Sequence, residues 1–161
     1  MEENLFLKSG PSLTIPDVED VERRINFKFP KDVIELFVRF NGGIPMRCYW
    51  LLDDGCFLWL KKFLSIKFSV GTERTLEQSY LLMLDKGVLP VGLVPIAIDH
   101  GGNYFCVDGS STVYYFAVDA WDDSLTKQQN HAKATRLLCT NIIEFINGLV
   151  ADIEQQPENP V

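Results

Sequence analysis

The stretch VPIAIDHGGNYFCVDGSSTVYYFAVD, from Val94 to Asp119, decides the fold. It contains three runs of β-branched and aromatic residues, separated by two short polar breaks. Runs of this kind with breaks rich in Gly, Asn and Ser predict a three-stranded antiparallel meander. The Asp, Gly and Asn residues in the breaks could be reactive groups, but tight turns require the same residue types. The stretch therefore favours a binding scaffold over an enzyme.

Two short helices are predicted before the sheet. Thr14 and Asp17 have the spacing of a capping box, and the helix that they begin should run to about Asn26. A second helix should begin at Pro30. It should end at Asn41-Gly42-Gly43, because these residues tolerate the left-handed conformation found at helix ends.

A hairpin is predicted at Asp53-Asp54-Gly55, between the apolar runs 46–52 and 56–60. Residues 63–70 alternate in the manner of a half-exposed strand. A helix capped by Thr72 or Thr75 should follow and stop before Pro90.

After the meander, residues 121–133 are polar and predict an exposed loop, and Arg136 to Cys139 a short strand. Asn141 and Glu144 predict a capped final helix that includes Gly148 and places Ile153 inward. A glycine inside a helix indicates either a close approach by another element or a weakened helix.

The element order predicts an α+β fold: one mostly antiparallel sheet of about five or six strands, with helices packed on one face. Parallel crossovers stay open at this stage. The length of 161 residues suits a single domain over 1–154, followed by a frayed tail at 155–161.

Composition narrows the possible partners. The net charge is −7 and the pI is near 4.8, which disfavours binding to nucleic acids or anionic membranes and favours a basic protein partner. We find neither a signal peptide nor an apolar run of about 20 residues. We therefore expect a cytoplasmic protein whose four cysteines are reduced and buried.

Catalytic and metal-binding candidates are few. Asp99 and His100 form the most enzyme-like pair, but their segment has the composition of a hairpin turn. His131 lies in a polar segment and should be solvated. Asp119, Asp122 and Asp123 lack the spacing of a calcium-binding EF-hand loop. We predict no enzymatic activity, no cofactor and no metal.

Aromatic residues are frequent in or beside the predicted strands: Trp50, Trp59, Tyr104, Tyr114, Tyr115, Phe116 and Trp121. Tyr114 and Tyr115 are adjacent, so they should lie on opposite faces of the sheet. Exposed aromatic residues next to acidic ones are typical of a surface that binds a basic protein. The candidate contact residues are Asp53, Asp54, Trp121, Asp122 and Asp123.

The ordered motifs resemble the SUKH superfamily over nearly the whole chain. The matching features are Phe29-Pro30 before a helix that ends in Asn-Gly-Gly, the run at 94–99, Gly101-Gly102-Asn103, the run at 113–116, and Glu144-Phe145-Ile146 in the final helix. The family usually has Leu where this chain has Phe29. The resemblance carries over no functional residues.

The resemblance implies a non-catalytic α+β protein. Superfamily members include a fungal regulator of cell-wall assembly and many bacterial immunity proteins that neutralise a toxin, often a nuclease, by direct binding. We expect an immunity protein that binds a basic toxin domain. Two alternatives stay open: a regulatory or scaffold module with an endogenous partner, and a small enzyme that uses Asp99 and His100.

Overall fold

Antiparallel strands form the centre of the molecule, which the computed structural model describes over residues 2–151. In chain order the elements are β1 (Phe6–Leu7), α1 (Ile15–Ile25), α2 (Lys31–Arg39), β2 (Ile44–Pro45), β3 (Tyr49–Leu51), β4 (Phe57–Phe63), α3 (Leu76–Asp85), β5 (Val94–Asp99), β6 (Tyr104–Val107), β7 (Val113–Phe116), a 3-10 turn (Val118–Ala120), α4 (Lys127–Ala134), β8 (Thr135–Cys139) and α5 (Ile142–Gly148).

The six-stranded sheet has the order β3-β4-β5-β6-β7-β8, and β1 pairs with β2 in a small second sheet. Every neighbouring pair in the described sheets is antiparallel, so the parallel crossovers left open by the sequence do not occur there. The predicted meander forms β5, β6 and β7. The predicted hairpin at Asp53-Asp54-Gly55 joins β3 to β4, with Gly55 at a φ of 84°. The α+β prediction is confirmed.

Helices cover both faces of the sheet, so the prediction of one covered face was wrong. The ring of Phe145 in α5 lies 5.5 Å from that of Phe105, and the ring of His131 in α4 lies 6.4 Å from that of Phe116. Phe105 pairs with Tyr115, the neighbour of Phe116 in β7, so Phe105 and Phe116 point to opposite faces. The first four residues of β5 are all buried, as coverage of both faces requires.

The predicted capping residues begin three of the helices. Thr14 and Asp17 form the capping box of α1, and Asn26 ends that helix in the left-handed conformation. Thr75, rather than Thr72, caps α3. Asn141 caps α5, but the carboxylate of Glu144 accepts a hydrogen bond from the Thr140 hydroxyl instead of reaching back to the cap.

Residues 63–70 do not form the predicted strand. β4 ends at Phe63, and the residues that follow it up to position 70 lie in a loop. Buried side chains from elsewhere hold this backbone instead. Asn41 bonds both the N–H and the carbonyl of Ile66, and a Glu77 carboxylate oxygen accepts the N–H of Lys67 at 2.8 Å. Lys67 consequently has a positive φ of 66°, which no regular strand contains. Asn41 therefore fixes this loop rather than the end of α2.

The segment predicted as an exposed loop at 121–133 contains α4. Thr126 and Gln129 form its capping box, which the polar composition concealed. Asn130 is 1% exposed and bonds the backbone N–H and carbonyl of Asp122 at 2.8 Å each, which fastens the preceding loop to the helix.

The final helix is shorter than predicted and ends at Gly148. Val150 instead pairs with Tyr49 in an antiparallel bridge at the edge of β3. Ile153 and the predicted tail at 155–161 lie outside the described residues. None of the described helices is long and apolar enough to span a membrane.

The four cysteines are free, but they are not uniformly buried as predicted. Cys106 is fully buried and Cys56 is exposed in the β3–β4 turn. Burial raises the pKa of the Cys139 thiol to about 11, which keeps it protonated at neutral pH.

Gly148→Ala should destabilise the protein, because a Cβ at this position would lie 2.6 Å from Cζ3 of Trp50. The half-buried indole of Trp50 packs on the same helix, with its ring 5.1 Å from that of Phe145. We expect a loss of about 1–3 kcal/mol in the free energy of unfolding, typical of overpacking. Chemical denaturation checks this value. Gly109→Ala is the control, since a Cβ there meets no atom within 4 Å; equal losses would contradict the close approach.

Candidate functional site

Three loops meet at one end of the sheet. Since neighbouring strands are antiparallel, the β3–β4 turn (52–56), the β5–β6 turn (100–103) and the segment that follows β7 (117–126) all lie at this end. These loops, with the last residue of β5, carry the carboxylates of Asp53, Asp54, Asp99, Asp119, Asp122 and Asp123. We call this region the acidic end. It contains all five candidate contact residues.

Asp99 stabilises the β5–β6 turn. Its Oδ1 accepts the backbone N–H groups of Gly101 and Asn103 at 2.8 Å each, and its Oδ2 accepts hydrogen bonds from the Asn103 side chain and the Tyr115 hydroxyl. His100 is exposed, and its ring lies 3.9 Å from that of Trp59. The carboxylate therefore serves the turn, and no Asp99 hydrogen bond to His100 occurs among the described residues.

Asn103 extends this network to the segment after β7. It is 4% exposed, its Oδ1 accepts the backbone N–H of Asp119 at 3.2 Å, and its Nδ2 approaches the carboxylate of Asp119 at 3.4 Å. Tyr114 pairs with Cys106 and Tyr115 with Phe105 across β6 and β7, so the two tyrosines occupy opposite faces, as predicted. The network fixes two of the three loops of the acidic end relative to each other.

Asp53 and Asp54 are exposed in the β3–β4 turn. Asp54 Oδ1 accepts the backbone N–H of Cys56 at 2.9 Å. This hydrogen bond lowers the pKa of Asp54, and the positive charge of Arg136 on β8 lowers it further. Asp54 thus shapes the turn, while no hydrogen bond to the Asp53 carboxylate occurs within residues 2–151.

Trp121, Asp122 and Asp123 have three different environments. The Trp121 ring is half-buried, 6.0 Å from His131, so His131 is packed rather than solvated as predicted. The Asp122 carboxylate accepts the N–H and hydroxyl of Ser124, and these bonds lower its pKa. Asp123 is the charged residue of this group whose side chain is exposed.

Within the described residues, no group of three or more acidic, His or Cys side chains is arranged to hold a metal ion. Asp119, Asp122 and Asp123 follow one another along the loop without converging on a common centre.

An aromatic strip lies beside the acidic end; it is formed by the exposed Phe57, Trp59 and His100 and the half-buried Tyr49. None of the predicted contact residues belongs to the strip, although Trp59 is among the aromatic residues in or beside the predicted strands. The signal was the alternation in Phe-Leu-Trp-Leu at 57–60: Leu60 is 1% exposed, whereas Phe57 and Trp59 are 42% and 46% exposed. Tyr49 joins them because it pairs with Trp59 across the hairpin.

A comparison of the sequence with models of known protein families identifies a match. The model of the SMI1 / KNR4 family (SUKH-1) matches residues 12–148, from just before α1 to the end of α5. No curated protein matches the chain. The matched range includes the β3–β4 hairpin, the meander of β5, β6 and β7, and all three loops of the acidic end. The chain therefore belongs to the SMI1 / KNR4 family (SUKH-1).

Proposed function

We propose that this protein is a cytoplasmic, non-catalytic binding domain that neutralises a cognate toxin by direct contact through its acidic end. Its family membership is consistent with such a role. The observation that carries the proposal is the placement of carboxylates from three separate loops at one end of the sheet, beside exposed aromatic rings. This combination is suited to a basic protein surface, and complementary charge also accelerates association.

The position of the charges favours a nuclease domain as the target. A nuclease must bind phosphates through basic side chains, and carboxylates can occupy the same positions. Asp53 and Asp123 are the best candidates for this contact, because both are exposed and neither carboxylate stabilises a turn among the described residues. Asp54 and Asp122 also support their loops, so their replacement would mix binding with folding.

Charge reversal tests the proposal. The wild-type protein, co-expressed with its cognate toxin domain, should restore growth of a bacterial host. Asp53→Lys with Asp123→Lys should slow association with that domain by about tenfold at low salt and by less at high salt. Stopped-flow or surface plasmon resonance measures the rate.

The control is Glu19→Lys with Glu35→Lys, which changes the net charge equally at exposed positions on α1 and α2. If both double variants slow association equally, net charge alone explains the rate and the acidic end is not the contact surface. If the wild type neither binds the toxin domain nor restores growth, the immunity role is wrong.

A further inference from the structure

The aromatic strip lies on the face of the β3–β4 hairpin that points away from the hydrophobic core. Phe57 and Trp59 point away from the core, while their neighbours Leu58 and Leu60 point inward. On the opposite face of the same hairpin, Trp50 packs against Phe145 and Gly148. The hairpin is therefore anchored through one face and presents aromatic rings on the other.

The rings of the strip hold one another in place. Trp59 stacks on Tyr49 at 5.7 Å with an interplanar angle of 23°, and Phe57 meets Tyr49 edge to face at 5.6 Å. His100 packs on Trp59 from the β5–β6 turn, which the Asp99 network fixes. Rings that are ordered before binding lose little conformational entropy when a partner contacts them.

The charges around the strip determine which kind of partner group can bind to it. Asp53 and Asp54 lie in the turn that follows β3 and precedes Phe57, and the whole chain carries a net charge of −7. Basic groups also lie nearby: Lys61 and Lys62 are on the same strand, with Lys62 paired to Glu73, and the charge of Arg136 acts on Asp54. An aromatic face beside carboxylates attracts a cation, and Trp is the best aromatic acceptor for one.

We propose that Trp59 receives an arginine side chain of a basic partner protein, with Phe57 beside it and the carboxylates of the β3–β4 turn facing the guanidinium edge. Arginine suits this site better than lysine. Its guanidinium is planar and weakly hydrated, so it can stack on the indole while its N–H groups donate to a carboxylate. This inference rests on the proposed function, because it names the contact within the same binding surface.

Tryptophan resonances provide a test that needs no toxin. The chain has three tryptophans, and their indole N–H groups give separate signals in a ¹⁵N-labelled sample. Titration with a nona-arginine peptide should shift the Trp59 signal, and nona-lysine at equal concentration should shift it much less. The half-buried Trp50, which packs against Phe145 of α5, is the internal control. Equal shifts with both peptides, or shifts that spare Trp59, would overturn the proposal.

Variants connect this contact to the biological partner. Trp59→Ala should weaken binding to the toxin domain by about tenfold or more, as expected for a central aromatic anchor. Phe68→Ala is the matched control, since Phe68 is a 39% exposed aromatic residue in the 64–75 loop, outside the strip. Circular dichroism and thermal denaturation establish that both variants fold.

The outcomes separate this inference from the proposed function. If wild type and Trp59→Ala neutralise the toxin equally, the arginine contact is wrong while the immunity role stands. If the toxin is not bound but nona-arginine still selects Trp59 over nona-lysine, the contact stands and the immunity role fails. A wild-type dimer in sedimentation that Trp59→Ala abolishes would assign the strip to a second copy of the chain and overturn the proposal.

Discussion

Phe145→Ala should lower the free energy of unfolding by about 3–5 kcal/mol, the range for removing a fully buried phenylalanine. The side chain is 0% exposed, and its ring lies 5.1 Å from Trp50, 5.5 Å from Phe105 and 6.3 Å from Phe63. These three partners belong to β3, β6 and β4. The phenyl ring thus joins the β3–β4 hairpin to the centre of the sheet through α5.

Denaturant unfolding measures the loss, and Ile143→Ala is the control on the same helix, where the side chain is 52% exposed. The control should change stability by less than about 1 kcal/mol. Hydrogen exchange should also show β3 and β4 opening more often in Phe145→Ala, because their inward face loses its support. A loss below about 1 kcal/mol would show that the hairpin is held by other contacts.

The elements that the sequence predicted correctly are those with local determinants. The meander has its turn residues within the stretch itself. Asp99 accepts the backbone N–H of Asn103, which is only four residues away. The capping residues Thr14 and Asn141 act within one helical turn. Short-range hydrogen bonds of this kind are visible in sequence because spacing alone fixes their geometry.

Two wrong predictions concern segments whose structure the apolar periodicity does not indicate. The alternation at 63–70 resembles a strand, but Asn41 and Glu77 bond that backbone from elsewhere in the chain. In α4 the sequence has no apolar stripe; the helix is begun by the local Thr126–Gln129 capping box, and buried Asn130 bonds Asp122 in the loop before it. The loop therefore depends on tertiary hydrogen bonds, whereas α4 had a local signal that its polar composition concealed.

The residue types of the candidate site could be named from the sequence, but their arrangement in space could not. Asp53 and Asp123 are far apart in sequence, and only the strand order brings their loops to one end of the sheet. Trp121 was selected by its acidic neighbours, yet it packs against His131. Exposure of Trp59 depends on which face of β4 the helices cover, which the sequence alone did not decide.

Asp99→Ala should lower the free energy of unfolding by about 3 kcal/mol, because it removes one carboxylate acceptor from several donors at once. Two backbone N–H groups of the turn and the Tyr115 hydroxyl lose their acceptor, and the Asn103 side chain keeps only its contacts with Asp119. If the protein were instead an enzyme that uses Asp99 and His100, His100→Ala would abolish function without lowering the free energy of unfolding. Thermal and denaturant unfolding of both variants separate the two roles.

A double-mutant cycle with Tyr115→Phe isolates the hydroxyl contact and should give a coupling energy of about 1.5–3 kcal/mol. Burial raises the pKa of Tyr115, and the hydrogen bond to Asp99 raises it further. A folded-state pKa above the ordinary value near 10 means that the contact stabilises fully below pH 10 and weakens as the pH rises beyond it. Wild type should therefore lose more stability than Tyr115→Phe above pH 10; parallel curves would show that the hydroxyl proton does not support the turn.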